Sequence, residues 1–193
     1  SDPQSVEEEL LTASAGAQML REANRPLEAI KRLEAANERM PDTVEIKYEL
    51  AMLYERNQRL NDTERLLREV IALDPGHAHS YNALGYSLAD RNQRLPEALK
   101  LITRALEIAP NDPFIMDSMG WIKFRLGDYV AAVQYLEKAY RVRPEADIAA
   151  HLGEALWMLG QRDAAKEIWK KGLAKEADNA TLQETIKRLG VRL

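Results

Sequence analysis

Cysteine is absent from the 193 residues. Disulfides and thiolate chemistry are therefore excluded, while the compartment stays open, because a chain without cysteine suits an oxidising or a reducing setting equally well. Net charge is also scarce: the formal value is -4, with an isoelectric point near 5.5. A general phosphate-binding role, and with it nucleic acid, is not expected from so mild an acidic balance. Long apolar runs are missing too. None approaches the roughly 18 residues that a membrane span needs, so this stretch is not expected to insert directly into a bilayer. The chain carries no signal-peptide pattern. It opens Ser1-Asp2-Pro3-Gln4, polar and without an initiator Met, and is expected to be a trimmed piece whose targeting information lies elsewhere.

Motifs for chemistry are equally sparse. No Ser or Cys nucleophile motif and no phosphate-cradling glycine loop occurs. His77 and His79 stand two apart in "GHAH", which on a helix sends the rings to diverging faces and makes joint metal ligation poor. Glu7-Glu8-Glu9 reads as a solvated first helical turn, favoured by the helix dipole. An enzyme is not expected, nor a cofactor or a metal.

What the chain does have is repetition. Pro41, Pro75, Pro110 and Pro144 are separated by 34, 35 and 34 residues. Ala29, Thr63, Ala98, Ala132 and Ala165 keep the same beat, as do Ala17, Ala51, Gly85, Gly120 and Gly153. A fourth series is Ala36, Val70, Ala105, Ala139 and Gly172. Periods of this length are the mark of stacked supersecondary units. Between the markers the apolar spacing is helical: Leu27, Ile30, Leu33 and Ala36 share one face, and so do Leu99, Ile102, Ala105 and Leu106. Each unit therefore predicts two helices of about a dozen residues joined by short turns. Gly127-Asp128, Gly160-Gln161, Asp74-Pro75-Gly76 and Asn111-Asp112-Pro113 supply stops. Pro26 and Pro113 suit a first helical turn, and Asp42 and Asp112 are candidate N-caps. The small residues let paired helices approach: Gly120 faces Ala132 across a hairpin, and Ala139 serves the contact with the next unit.

The unit "DPFIMDSMGWIKFRLGDYVAAVQYLEKAYRVRP" resembles the tetratricopeptide repeat, with small residues and proline where that motif places them. The resemblance implies an all-α, right-handed solenoid in a single array over 1–193. Five helix-turn-helix repeats fall at about 10–43, 44–77, 78–112, 113–145 and 146–178, with a solvating end helix at 180–189. The first repeat departs most from the pattern, with Gly16 where a large apolar residue is usual. The third holds one additional residue in its inner turn, "DRNQRLPEA".

Family members bind partners on the concave side, which the first helix of each repeat lines. Carried over position by position, the resemblance implies a groove of Glu45, Tyr48, Met52, Glu55 and Arg56, then His79, Asn82, Tyr86, Ala89 and Asp90. The next repeats add Phe114, Asp117, Trp121, Phe124 and Arg125, and Asp147, Ala150, Glu154, Trp157 and Met158. Six of the chain's aromatics thus fall on one wall, where they would serve as anchors for a polypeptide. The competing expectation is that Trp121 and Phe124 bury against neighbouring helices, and a third is that the end helix folds back into the groove. His151 is expected to pack between helices. Ser14, Gln18, His79 and Ala83 stand where a carboxylate-clamp receptor carries basic and amide side chains, so an acidic C-terminus is not the expected ligand. Arg65, Arg68, Lys100 and Arg104 alternate with Glu on second helices and read as a solvated face.

Two blocks, "NALGYSLADRNQRLPEALKLITRALEIAPNDPFIMDSMGW" and "IAAHLGEALWMLGQRDAAKEIW", are similar to the C-terminal arrays of Gram-negative outer-membrane repeat lipoproteins. That similarity implies a periplasmic adaptor for a carboxyl-terminal processing protease, presenting cell-wall hydrolases as substrates and anchored through a longer parent chain. The expected role is a scaffold binding other proteins or peptides. The alternatives are a cytoplasmic location and a structural module acting by self-association or by docking within a longer chain.

Overall fold

The computed structural model describes residues 3–193, with side chains from Ser5 onward; Ser1 and Asp2 of the polar opening lie outside the described residues. Helices make up the regular structure of those residues. They are α1 (Pro3–Glu22), α2 (Pro26–Arg39), α3 (Val44–Arg56), α4 (Leu60–Leu73), α5 (Ala78–Asp90), α6 (Leu95–Ile108), α7 (Pro113–Arg125), α8 (Tyr129–Val142), α9 (Ala146–Met158), α10 (Arg162–Lys175) and α11 (Ala180–Arg188).

The helix ends follow local chemistry. Pro26 and Pro113 open α2 and α7, where the missing N–H has no intrahelical acceptor to lose. The Asp112 carboxylate accepts hydrogen bonds from the N–H groups of Phe114 (2.8 Å) and Ile115 (3.2 Å), capping α7. The cap expected at Asp42 falls one residue later. Helix α3 begins at Val44, so Thr43 holds the N-cap place without a side-chain capping bond, and Asp42 stands too far upstream.

The turn inside each hairpin needs one residue in the left-handed region. Asn24 (φ 56°), Gln58 (φ 60°), Asn92 (φ 55°), Gly127 (φ 81°) and Gly160 (φ 80°) fill that seat in turn. This series keeps the repeat beat in conformation although its residue types change. The additional residue of "DRNQRLPEA" is absorbed by Arg94, a second left-handed residue (φ 44°) directly before α6.

Packing within the hairpins uses the small residues as expected. A Cβ added to Gly120 would lie 2.5 Å from Leu136 Cγ and 3.2 Å from the Ala132 carbonyl oxygen. One added to Gly153 would collide with the indole of Trp169. Ala29, Ala98, Ala132 and Ala165 are wholly buried, and Thr63 nearly so.

The chain forms two compact units, Ser1–Ser80 and Tyr81–Leu193, with the division inside α5. In the first unit α1 packs on α2, α2 on α3 and α3 on α4. Its core is aliphatic: Ile30, Leu33, Ile46, Leu50, Leu66 and Leu67 are buried. Tyr54 is buried as well, and its hydroxyl donates to Glu34 (2.6 Å), which also accepts from Arg59 (3.1 Å). In the second unit α6 to α9 pack in succession, α9 pairs with α10, and α11 lies against both α9 and α10. There the core gathers Leu136, Leu152, Leu156 and Leu182 around Trp169. On second helices the basic residues pair with their own neighbours: Arg65 with Glu69, Arg68 with Glu64, and Arg104 with Glu107. Such exposed pairs read as a solvated face and contribute little stability.

Candidate protein-binding site

The site grows from the first helices of the second unit. Position for position, Tyr86 on α5, Trp121 on α7 and Glu154 on α9 occupy the same place in successive repeats, 35 and 33 residues apart. Together with Asp90, Arg125 and His151 they line a pocket of about 500 Å³. Its other wall is α11, through Ala180, Thr181, Glu184, Thr185 and Arg188.

Trp121 is only 4 % exposed. Phe124 stacks almost parallel to it at 4.8 Å, the His151 ring stacks at 4.3 Å, and the Arg125 guanidinium stands 4.8 Å from its ring centre. The indole N–H donates to the Asp90 carboxylate at 3.2 Å. Trp121 is thus held on several sides and forms part of the pocket wall. Phe124 is half-buried, between Trp121 and Tyr129, and packs on the core. Trp157 is half-buried against Trp169 and lies under Arg162; it does not line the pocket. Burial among neighbouring helices therefore describes Trp121 well and Phe124 and Trp157 in part, yet an open pocket stands beside Trp121.

Charged side chains in this wall pair from one first helix to the next. Asp90 faces Arg125, whose Nη2 donates to the Asp90 carbonyl (2.6 Å) and stands 3.7 Å from its carboxylate. Asp117 accepts from His151 Nδ1 through both oxygens, at 2.9 and 3.1 Å. Glu154 accepts from Arg188 Nη2 at 2.7 Å. Burial alone disfavours the His151 imidazolium, but the charge and hydrogen bond of Asp117, helped by Asp90 and Asp147, outweigh it and raise its pKa above the ordinary 6.5. The Tyr86 hydroxyl, 3.4 Å from His151 Nε2, is pushed up first by burial and then by the carboxylates around it.

The other residues carried over from the motif scatter. Asn82 on α5 is half-buried. Phe114 is 44 % exposed beneath Arg143, and Met158 is 46 % exposed at the end of α9. In the first unit Tyr48 is half-buried and tilts against His77 at 5.0 Å, Met52 is half-buried and Arg56 exposed. His79 is exposed, while His77 Nδ1 meets the Ser80 hydroxyl at 2.8 Å. Asp117, expected as a solvent-facing contact, instead spends its carboxylate on His151.

Sequence reasoning offered the end helix only as a solvating cap or as a filler of the groove, and not as one of its walls. The signal was present: Arg188 follows Glu154 by 34 residues and so prolongs the series Met52, Tyr86, Trp121, Glu154 by one step. Leu182, buried and pressed toward Gly172, docks the helix in register. Asn179 fixes its start, accepting from the Leu182 N–H (2.9 Å) and donating to Asp147 (3.1 Å). The end helix behaves as a further first helix and contributes wall rather than mere cover.

Comparison with known proteins agrees with this geometry. Tetratricopeptide-repeat profiles match residues 20–85 and 123–189, and a second such profile matches 76–145. A TPR repeat-containing protein of Pseudomonas aeruginosa is 46 % identical over 114 residues, covering 59 % of this chain and 19 % of the relative. The chain thus spans about a fifth of that relative's length. Among solved structures, a thermophilic TPR protein of Thermus thermophilus superposes with a TM-score of 0.80 at 20 % identity, covering 94 % of this chain and 99 % of the other. The anaphase-promoting-complex hetero-tetramer Cut9-Hcn1 gives a TM-score of 0.83 at 18 % identity over 93 % of this chain and 36 % of the other. The matches indicate no enzyme family. The repeated hairpins, their small-residue contacts and these profiles together place the chain in the tetratricopeptide-repeat family of protein-binding scaffolds.

Proposed function

We propose that this chain is an adaptor that holds a segment of another polypeptide against the first-helix wall of its second unit. The observation carrying this reading is the pocket of about 500 Å³ beside Trp121, built from equivalent positions of α5, α7 and α9 and from α11. A rigid aromatic and charged wall presents contacts already ordered before binding, which lowers the entropic cost of association. A scaffold of this kind acts by proximity, raising the effective concentration of one bound partner near another.

The narrower reading belongs here as well. The parent protein is proposed to reside in the periplasm, anchored at the outer membrane, and to deliver cell-wall hydrolases to a carboxyl-terminal processing protease. Its support is the similarity of the two tandem blocks to lipoproteins of that kind. Among the described residues no helix is long and apolar enough to cross a membrane. The alternatives are a cytoplasmic location and a module that self-associates or docks within its parent chain.

Photo-crosslinking tests the groove. A benzophenone amino acid is placed at Glu184 in the pocket wall and, as a control, at Lys100 on a second helix, in the full-length protein in its native cells. The expected result is a defined segment of another protein captured from Glu184 alone, with a synthetic copy of that segment binding in solution. Capture of a second copy of the chain favours self-association. Equal capture from both positions sinks the groove reading.

A further inference from the structure

Glu154 is the least ordinary residue of the wall. Its side chain is 5 % exposed, on a helix face where the motif commonly points outward to a partner. A buried carboxylate is costly unless a cation meets it. Asp90 and Asp117 find their cations on α7 and α9, within the stack of full hairpins. Among the described residues the side-chain partner of Glu154 is Arg188, from the last turn of α11, and the Arg188 side chain is itself 51 % exposed. The pairing is therefore lopsided: the anion is fixed and buried, the cation is long, half in water and near a helix end, where Gly190 (φ 65°) turns the chain away.

The rest of the pocket favours a cation too. Glu184 and Asp90 add negative charge at its rim, against Arg125, which Asp90 already engages, and His151, which Asp117 engages. Tyr86 and Trp121 line the same pocket, and Arg125 shows that a guanidinium is accommodated over this indole.

The geometry points to Glu154 as the subsite for a cationic side chain, an arginine or lysine of the bound polypeptide, with Arg188 as the resident occupant that the incoming cation replaces. This inference rests on the groove reading and gives its partner a chemistry. Exchange leaves the buried carboxylate paired at the end, so the large penalty of an unpaired buried anion does not add to the ordinary entropic and desolvation costs of association. Release of Arg188 returns a half-exposed side chain to water and leaves Leu182 and Asn179, which hold α11, in place.

The test uses the isotope-labelled chain and two capped pentapeptides, acetyl-Ala-Ala-Arg-Ala-Ala-amide and its citrulline counterpart, which has nearly the same shape without the charge. Binding is read from the indole N–H signal of Trp121 and the guanidinium N–H signal of Arg188. The arginine peptide is expected to move both signals, and the citrulline peptide to bind about tenfold more weakly, the scale of one charge-assisted hydrogen bond. Arg188→Ala empties the subsite and is expected to tighten arginine binding by about tenfold for the same reason. Glu154→Gln is expected to abolish the preference for arginine while preserving the amide fingerprint of the fold. Should Glu154→Gln fail to fold, Arg188→Ala, which keeps the carboxylate, decides the matter. Equal responses to both peptides in the native chain and in Arg188→Ala overturn the cationic subsite and leave the groove reading standing. Absence of any pocket response in Arg188→Ala also overturns it, and the groove reading then rests on the crosslinking result.

Discussion

The two units answer the same packing problem with different side chains. The first, Ser1–Ser80, fills its core with Leu and Ile and keeps charge near the surface, as in Arg65–Glu69 and Arg59–Asp62. Lys47, a buried cation of this unit, reaches out to Glu69, whose side chain is 37 % exposed. The second, Tyr81–Leu193, buries two Trp side chains and a His–Asp pair, and its first-helix wall carries a chain of ionic contacts from repeat to repeat. One repeat motif therefore supports two kinds of interior. The small-residue contacts are common to both, and what differs is how much aromatic and charged matter is invested on the first-helix side. Stability alone favours the first solution, since buried ion pairs seldom outdo hydrophobic packing. The second makes sense where a surface must be shaped to meet something.

Truncation of Trp169 is expected to separate the units most sharply. Trp169→Ala removes the largest fully buried side chain and should cost about 3–5 kcal/mol, whereas Ile46→Val in the first unit should cost about 0.5–1.5 kcal/mol. Guanidinium unfolding followed by circular dichroism measures both; similar losses would mean that the aromatic core has no special weight.

The buried pair comes next. Asp117→Asn leaves His151 without its anion and is expected to cost about 1–3 kcal/mol, while Glu64→Gln, in the local helix pair with Arg68, should cost about 1 kcal/mol or less. If the order is reversed, the contrast between interior and surface charge fails.

The same pair sets a pH dependence. A folded-state pKa raised above the ordinary 6.5 means that the folded protein binds the His151 proton more tightly than the unfolded chain does. Its contribution is complete below pH 6.5 and is lost as pH rises through the raised value. The melting temperature should fall over that interval, and Asp117→Asn should flatten this part of the profile. A native profile identical to that of the variant would show that Asp117 does not raise the His151 pKa.

The smallest effects concern the shared turn. Gln58→Gly relieves a left-handed residue (φ 60°) and should stabilise by about 0.5–1 kcal/mol, while Gly127→Ala (φ 81°) should cost about 1 kcal/mol. Matching shifts of opposite sign in thermal unfolding would show that both units use one turn geometry. Two shifts of the same sign would refute it.

Much of this architecture was legible before any coordinates. The Ala29-to-Ala165 and Ala17-to-Gly153 series marked the close contacts because a helix pair tolerates only small side chains at its crossing. The turn seat was half legible: Gly127 and Gly160 announced it, but Asn24, Gln58 and Asn92 did not, because several polar residues tolerate left-handed backbone. The site was less legible. Motif position named Trp121, Glu154 and Asp117 correctly as first-helix residues, but position carries no account of burial. It could not say that Trp121 is sandwiched, that Asp117 is taken up by His151, or that Trp157 leans on Trp169.

By itself the sequence determined the repeat, its period, the helix boundaries to within a residue at the proline-led starts, and the family. These follow from local backbone preferences and from a periodicity that any stacked hairpin must obey. Only the tertiary structure decided which groove residues remain accessible, that α11 contributes a wall, and that Glu154 depends on Arg188. Those outcomes turn on side chains 31 to 35 residues apart competing for the same space and the same charge. Such competition is settled by geometry between helices, and no single stretch of chain contains it.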